Sequence, residues 1–308
     1  MRDTPPPTMS ALDQLAIATL PLIPTPVMRR LAGRYIAGER LDEAIARLEA
    51  LRDAGHPGVI DLLGEDVRDE AEARGVVRDY LEASRAISTA GVDAYVSVKP
   101  THVGLELSED LCFELYSELA TACAERGQML RVEMEDHTTT DRTLSVFARL
   151  CAVHDNVGIV LQARLFRTLD DIDALPAGPL NVRLVKGIYL EPAEIAHTEP
   201  EPIREAFVEC ARKLRERGCF LALATHDEVM AERVLADLAK SGARPEDYEF
   251  QTLLGVREPL WKMWREAGHS VRIYVPYGPQ WRPYSQRRLR KNPQIFRHVL
   301  RDTLTFWN

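Results

Sequence analysis

Charged and hydrogen-bonding residues stand at the ends of the short apolar runs that recur along this chain. A lysine at such a position can form a Schiff base or hold an anion, an arginine can bind a carboxylate through two hydrogen bonds, and a carboxylate or histidine can move a proton. Any one of these charges could be a solvated or paired group, but apolar runs seldom end in so many. We therefore take the following residues as candidates for a site: Glu65, Lys99, Glu133, Glu135, Asp136, Gln162, Arg164, Arg183, Lys186, Thr225, His226, Asp227, Glu249, Gln251, Tyr274 and Tyr277.

A second signal is an arginine pair near the C-terminus, in the stretch YSQRRLRKNP. Arg287 and Arg288 stand side by side in a chain whose formal net charge is -8. The planar guanidinium group suits a carboxylate. Neighbouring residues lie about 100° apart around a helix, so both can hold one ligand only if the helix begins at the site. From this stretch alone, a solvated basic helix face is the simpler explanation, and both interpretations stay open at this point.

The elements that must position these residues alternate between short apolar, β-branched runs and amphipathic helices. Segments such as SEDLCFELYSELATACAERG carry apolar residues at three- and four-residue spacing, which predicts helices. The eight runs that predict strands are residues 58–64, 94–100, 129–135, 157–163, 180–187, 220–226, 248–254 and 271–277. Eight strand–helix units in about 250 residues predict an α/β fold of the (βα)8 TIM-barrel type, regular or distorted, with N-terminal helices.

Such a barrel would bring the candidate residues together, because the carboxyl ends of its strands share one mouth and the helix after the last strand begins there. An open doubly wound sheet is the alternative, but the first strand is not followed by the G-x-G-x-x-G fingerprint common in that fold. Side chains alternate along a strand, so Arg183 and Val185 share one face while Leu184 and Lys186 share the other. We predict an N-terminal helical extension over 1–55 and a catalytic barrel over 56–308.

Composition narrows the class of protein. The negative charge and a pI near 5.6 argue against general binding to nucleic acid. The five cysteines have no C-x-x-C spacing, which argues against a disulfide framework or a zinc knuckle. No stretch is apolar over the roughly 18 residues that a membrane span needs. We therefore expect a cytoplasmic protein without a bound metal, and leave open both peripheral attachment to a membrane surface and oligomerisation.

Four motifs resemble those of one family of flavoenzymes. VRLVKGIY, LATHD, EFQTLLG and VRIYVPYG with YSQRRL occur in the order found in the FAD-dependent proline dehydrogenases, the proline oxidase family, and the resemblance spans about Gly58 to Pro293. It implies oxidation of L-proline to Δ1-pyrroline-5-carboxylate by hydride transfer from C5 of proline to flavin N5, the first step of proline catabolism to glutamate. It also implies a membrane quinone as the acceptor of the electrons, met at the membrane surface.

The resemblance implies roles residue by residue. Glu133 and Arg183 would be the catalytic residues. The substrate would be bound by Lys99, Leu184, Tyr189, Tyr274, Tyr284, Arg287 and Arg288, with the last two on its carboxylate. FAD would be contacted by Met134, Gln162, Arg183, Val185, Lys186, Gly187, Thr225, His226 and Gln251.

The chain departs from the family pattern in one place. Where the family has R-R-L-x-E-N, this chain has Lys291 before Asn292, which reverses the sign of a local charge. The departure would alter a contact near the flavin or a helix–loop ion pair that closes the site, and it puts the efficiency of the enzyme, more than its identity, in doubt. With no aldehyde dehydrogenase segment in 308 residues, the resemblance implies the single-function form.

Three other functions fit parts of the sequence. An aldolase-like barrel could use Lys186 or Lys99 as a Schiff-base amine. A metal hydrolase could use His226, Asp227, Glu133 and His137, although no H-x-H or H-E-x-x-H pair is present. A non-catalytic barrel could bind amino acids without turning them over.

Overall fold

Eight parallel strands close into a barrel in which each strand is hydrogen-bonded to its neighbours in sequence and β8 returns to β1. These are findings from a computed structural model, which describes residues 25–189 and 191–285. The strands are β1 (Gly58–Leu62), β2 (Ala94–Val98), β3 (Leu130–Val132), β4 (Val157–Gln162), β5 (Asn181–Val185), β6 (Phe220–Ala224), β7 (Tyr248–Leu253) and β8 (Val271–Tyr277). The predicted TIM-type barrel is confirmed, and the alternative of an open doubly wound sheet is wrong.

Most of the predicted strands extend beyond the observed ones at their carboxyl ends. β2 ends at Val98 and β3 at Val132, so Lys99 and Glu133 lie just past their strands. The side chains of both residues contact partners across the barrel mouth, and the backbone N–H of Glu133 still donates to the carbonyl of Val98 at 2.9 Å. The apolar pattern therefore finds each strand correctly but places the carboxyl end of most strands too far along the chain.

Helices follow the strands and surround the barrel. They are α1 (Thr25–Ala32), α2 (Leu41–Asp53), α3 (Glu70–Ala90), α4 (Glu109–Ala124), α5 (Thr140–Cys151), α6 (Thr168–Ala174), α7 (Pro200–Glu216), α8 (Glu228–Lys240) and α9 (Glu258–Glu266). Asp69 starts α3 by accepting a hydrogen bond from the backbone N–H of Glu72, and Gly91 ends it in the left-handed region, with φ 60°. Both devices satisfy backbone groups that a helix end leaves unpaired.

The helix α2 precedes the strands in sequence but packs on the barrel wall beside β1 and β8. Its residues Ala44, Leu48 and Leu51 belong to the same apolar core as the strands. A methyl group on Gly58 would lie 2.2 Å from Leu48 Cδ2, so glycine at the start of β1 permits this close packing. The division of domains at residue 55 stays a prediction, and α2 itself is part of the barrel wall.

Alternation along the strands separates an apolar outer layer from a polar lumen. Residues such as Ile60, Val96 and Leu184 are fully buried in the core between sheet and helices. The opposite faces carry charged groups that bond across the lumen, including the fully buried Arg131. A Cβ at position 158 would lie 2.6 Å from Arg131 Nη1, so Gly158 provides the space that this guanidinium fills. The alternation of apolar and polar residues therefore determines which side chains face the helices and which face the lumen. A small residue such as Gly158 leaves space in the lumen for a large side chain.

Candidate active site

Arg183 on β5 is the centre of a buried hydrogen-bond network at the barrel mouth. Its Nη1 donates to Glu133 Oε1 at 2.5 Å and to Ser97 Oγ at 3.2 Å, and its Nε donates to Gln251 Oε1 at 2.6 Å. The guanidinium also lies over the ring of Tyr274, 5.1 Å from its centroid. One side chain therefore links β5 to four other strands, and the three predicted residues among these partners are brought into contact with it.

Glu133 is held as a carboxylate by the groups around it. Burial opposes its ionisation, but Arg183, followed by the hydroxyl of Ser97, more than offsets this and holds the pKa of Glu133 below its ordinary value. The hydroxyl of Tyr274 donates to the same Oε1 at 3.1 Å. A carboxylate with this set of donors is a counter-charge and a poor acceptor for a substrate proton.

Lys99 pairs with Asp61, a residue that the sequence argument did not select. The ammonium lies 3.5 Å from the carboxylate of Asp61, whose side chain is 2% exposed, and 3.4 Å from the carbonyl of Gly64. Burial lowers the pKa of Lys99, but Asp61 and then Glu133 outweigh burial, so the net pKa is raised. Asp61 could have been noticed, because it is a single carboxylate inside the otherwise apolar run GVIDLL.

Gln162, at the end of β4, presents an unpaired acceptor inside the site. Its Nε2 donates to the backbone carbonyl of Glu135 at 2.7 Å, while its buried Oε1 has no partner among the described residues. The Oε1 lies 3.0 Å from where a Cβ on residue 187 would be, and Gly187 has φ +105°. Glycine is therefore needed there both for backbone conformation and for access to this acceptor.

Arg164 fixes the loop that follows Gly187. Its Nη1 donates to the carbonyl of Tyr189 at 2.7 Å and its Nη2 to the carbonyl of His197 at 3.2 Å. The side chain of Arg164 also packs under Gly187, where its Cδ would lie 2.5 Å from an added Cβ. Arg164 thus stabilises the backbone of the loop after Gly187, and we assign it no role in binding a ligand.

Glu135 is an internal carboxyl with an unusual proton affinity. Its two oxygens accept from the backbone N–H of Thr101 at 2.9 Å and from the hydroxyl of the same residue at 2.8 Å. Burial raises the pKa of Glu135 to about 7 in spite of these donors. Glu135 therefore titrates near neutral pH next to Gln162, which the sequence pattern did not indicate.

Lys186 and Arg204 share one carboxylate, that of Asp227. Arg204 Nε lies 2.9 Å from Asp227 Oδ2, and the ammonium of Lys186 bonds the same oxygen. The other oxygen of Asp227 accepts from the backbone N–H of Met230 and so caps α8. Burial opposes ionisation, yet the hydrogen bonds from Lys186 and Arg204 bring the pKa of Asp227 down to about 2. Lys186, with its side chain 34% exposed, stays available to a further anion.

His226 and Thr225 bond to backbone at the ends of β6 and β7. The N–H of Leu253 donates to His226 Nε2 at 3.0 Å, so this ring nitrogen carries no proton. Thr225 Oγ1 accepts from the N–H of Asp227 at 3.0 Å. Both residues are placed at the mouth as predicted, and these bonds fix their orientation.

The remaining predicted residues are divided between the site and its surroundings. Val185 shares the face of Arg183 and is half-buried, and Met134 is 6% exposed just past β3. Leu184 does not join them: it is fully buried on the opposite face of β5, in the core shared with the helices, because side chains alternate along a strand. The predicted packing of Leu184 on the substrate therefore finds no support in this arrangement.

Tyr189 and Tyr284 are half-buried. Tyr284 packs against a small apolar cluster formed by Met28, Ala32, Ile36, Leu63 and Trp281. Arg287, Arg288 and Lys291 lie outside the described residues.

A closed βα barrel whose strand ends carry a buried, ionised network and an unpaired acceptor defines a barrel enzyme with its site at the carboxyl ends of the strands. The family model for proline dehydrogenase matches residues 44–297, and the chain belongs to the proline dehydrogenase family. This confirms the predicted family and class of enzyme.

Relatives in that family match nearly the whole chain. A proline dehydrogenase of Deinococcus radiodurans is 34% identical over 282 residues, which cover 90% of this chain and 91% of the relative. Proline dehydrogenase 2 of Bacillus subtilis is 31% identical and covers 85% of this chain and 86% of the relative.

Solved structures agree on the fold. Proline utilization A of Bdellovibrio bacteriovorus, inactivated by N-propargylglycine, superimposes with a TM-score of 0.81 at 23% identity, covering 90% of this chain. A proline utilization A variant of Bradyrhizobium japonicum gives a TM-score of 0.72 at 25% identity. This chain spans 36% and 30% of those two chains, respectively.

Proposed function

We propose that this protein oxidises L-proline to Δ1-pyrroline-5-carboxylate with FAD and passes the electrons to a quinone. The observation that carries the proposal is the network of Arg183, Glu133 and Tyr274 at the mouth of a barrel that belongs to the proline dehydrogenase family. The family fixes the chemistry of proline oxidation, and the network supplies the charges that such a reaction needs.

The residues at the mouth fit a flavin. The pyrimidine edge of a flavin presents an imide N–H, and the buried Oε1 of Gln162 is an acceptor without a partner among the described residues. Gly187 leaves backbone and space open beside it, and Lys186 offers positive charge to a pyrophosphate. We infer that Gln162, Gly187 and Lys186 hold the cofactor, with Val185, Thr225 and His226 around them.

When bound, FAD would accept one hydride, which carries two electrons, from C5 of proline. The side chains must orient the substrate and keep the site's charge balanced. Arg183 is locked by Glu133 and Gln251, so its positive charge is fixed in place before the substrate arrives. Such preorganised charge would stabilise the negative charge that the flavin ring gains during the reaction.

Neither of the two charged candidates is suited to take the proton of the substrate amine. Glu133 has a pKa below its ordinary value, and Lys99 has one above its ordinary value and so remains an ammonium. We propose instead that the Lys99–Asp61 pair and Glu133 shape a pocket for the neutral amine form of proline. Arg287 and Arg288 would bind its carboxylate, which stays a proposal from the family motif.

The quinone is proposed from the family chemistry alone. Among residues 25–189 and 191–285, no helix is long and apolar enough to cross a membrane.

The structure speaks against two of the other functions. A Schiff-base lysine must lose its proton, whereas the pKa of Lys99 is raised and Lys186 is paired with Asp227. The candidate metal ligands are engaged elsewhere: Asp227 with two cations, and His137 Nδ1 with Glu191 at 2.5 Å. In the described part of the chain, no three such residues are grouped as ligands.

The decisive experiment is optical. Purified protein is expected to be yellow, and its flavin absorbance is expected to bleach when L-proline is added without oxygen. A colourless protein that cannot be reconstituted with FAD would overturn the proposal. Affinity for proline without bleaching would instead establish the non-catalytic binding barrel.

A further inference from the structure

Tyr95 lies in the lumen beneath the site and is surrounded by three arginines. Its side chain projects inward from β2, and the whole residue is 5% exposed. The guanidinium groups of Arg272 and Arg131 lie 5.0 and 5.6 Å from the centroid of its ring. The hydroxyl of Tyr95 is 3.4 Å from Nη2 of Arg131 and 3.4 Å from Nη2 of Arg183.

The third neighbour of this hydroxyl is also a donor. Gln251 Nε2 lies 2.8 Å from the Tyr95 oxygen. The orientation of the Gln251 amide is fixed, because its Oε1 accepts from Arg183 Nε at 2.6 Å and its Nε2 donates to Glu249 Oε1 at 2.6 Å. Guanidinium groups and amide nitrogens cannot accept a hydrogen bond. Among the described residues, a neutral phenol at this position would have three donors around its oxygen and no acceptor for its own proton.

The arginines around Tyr95 are not equally matched by carboxylates. Arg183 has Glu133, and Arg272 has Glu249 at 2.9 Å. Arg131 is fully buried and, within the described residues, has no carboxylate partner: it donates to the carbonyls of Ile159 and Asn181 and to the side chain of Asn181. A buried guanidinium without a counter-charge is unfavourable, so a negative group is needed near it.

We propose that Tyr95 is a phenolate in the folded protein at neutral pH, where it is the counter-ion of Arg131 and a positioning residue for Arg183. The phenolate oxygen accepts all three hydrogen bonds and needs no acceptor. It also balances the charge that Arg131 brings into the lumen. Arg183 is then held from two sides, by Glu133 toward the mouth and by Tyr95 and Gln251 below.

The charged groups that face Tyr95 from the neighbouring strands agree with this. Burial opposes ionisation, but Arg131 on β3 and Arg183 on β5 outweigh it, Glu249 on β7 opposes them and Arg272 on β8 adds to them, so that the pKa of Tyr95 lies below its ordinary value. Tyr116 is a useful contrast. It is also buried, its hydroxyl donates to the carbonyl of Val98 at 2.7 Å, and burial raises its pKa.

The first test detects the phenolate directly. The ring carbon that bears the oxygen shifts markedly in ¹³C NMR when a tyrosine ionises, so protein labelled at this carbon reports each of its nine tyrosines. The FAD-loaded protein at neutral pH is expected to show one phenolate resonance, which is lost in Tyr95→Phe and retained in Tyr116→Phe. Phenol resonances alone in the unmutated protein would overturn the proposal whether or not Tyr95→Phe folds.

A second variant guards the assignment. Should Tyr95→Phe fail to fold, Arg131→Met is expected to move the titration of the phenolate resonance to higher pH, because the main favourable charge is gone. A resonance whose titration does not respond to Arg131→Met belongs to another tyrosine and would overturn the assignment.

The coupling to the site rests on the proposed function and has its own readout. Removing the negative charge in Tyr95→Phe leaves Arg183 in a more positive surrounding, so the flavin midpoint potential is expected to rise. An unchanged potential in folded Tyr95→Phe would show that Tyr95 does not act on the site through Arg183. The phenolate resonance can be observed without flavin. A colourless protein that still shows this resonance would therefore contradict the proposed function but not the phenolate state of Tyr95.

Discussion

Arg183 Nη1 and Glu133 Oε1 are 2.5 Å apart, and both side chains are almost completely buried, at 4% and 13% exposed. Removing one partner of such a pair strands the other charge. We expect Glu133→Gln to lower the free energy of unfolding by about 3 kcal/mol, measured by urea denaturation. The matched control is Glu114→Gln, which removes an exposed partner of Arg74 and is expected to change stability little. Equal effects of the two substitutions would contradict the assignment of a buried pair.

Two glycine-to-alanine substitutions are expected to change the stability of the folded protein in opposite directions. At Gly158, the new methyl group would meet Arg131 Nη1 at 2.6 Å and the carbonyl of Asn181 at 2.7 Å, so we expect a loss of about 1–3 kcal/mol from overpacking. At Gly75, inside α3, the nearest atom would be Arg78 Nη2 at 3.6 Å, so alanine is expected to stabilise the helix by about 0.5–1 kcal/mol. Thermal unfolding of both variants checks this, and a stabilising Gly158→Ala would show that Arg131 does not fill the lumen as described.

Glu135 should make stability depend on pH. Its pKa is raised to about 7 in the folded protein, from an ordinary value of 4.5, so the folded state holds the proton more tightly. The resulting stabilisation is fully present below about pH 4.5 and is lost as the pH rises through about 7. We expect Glu135→Gln to remove this fall in the free energy of unfolding with rising pH. The exposed substitution Glu118→Gln is expected to leave the fall unchanged. Unfolding measured between pH 5 and 8 decides, and parallel curves for unmutated protein and Glu135→Gln would refute the prediction.

A substitution at Gln162 tests the proposed contribution of this residue to FAD binding. Gln162→Leu removes the unpaired acceptor, and we expect FAD to bind at least tenfold more weakly, or about 1.4 kcal/mol. Fluorescence titration of flavin-free protein measures the affinity, and the melting temperature of that protein controls for folding. An unaltered dissociation constant for FAD would remove Gln162 from the cofactor site.

Arg288 tests the predicted binding of the substrate carboxylate. We expect Arg288→Met to weaken proline binding by about 2–5 kcal/mol, since a carboxylate would lose its charged partner. The Michaelis constant for proline measures this. Arg290→Met removes the same charge two residues away and should leave that constant nearly unchanged, so an equal effect of both would point to general electrostatics and away from a specific contact.

The described residues show which parts of the site could be predicted from sequence. Strand ends were identifiable because apolar, β-branched runs stop at polar residues, and Lys99, Glu133, Gln162 and Arg183 were found in this way. Asp61 was missed because the selection considered the residues at which the apolar runs end, and Asp61 lies inside its run. Tyr95 was missed because an aromatic residue in a strand is ordinary until its neighbours are known.

The sequence by itself determined the barrel and the family and predicted the face on which chemistry would occur, since these follow from local periodicity and from motifs that are contiguous in the chain. Only the tertiary structure decided the partners: Arg183 with Glu133, Lys99 with Asp61, and Tyr95 among three arginines. These contacts join residues far apart in sequence, and ionisation depends on the distance between charges and their removal from water. Neither the distance between two charges nor their burial can be read from the order of the residues.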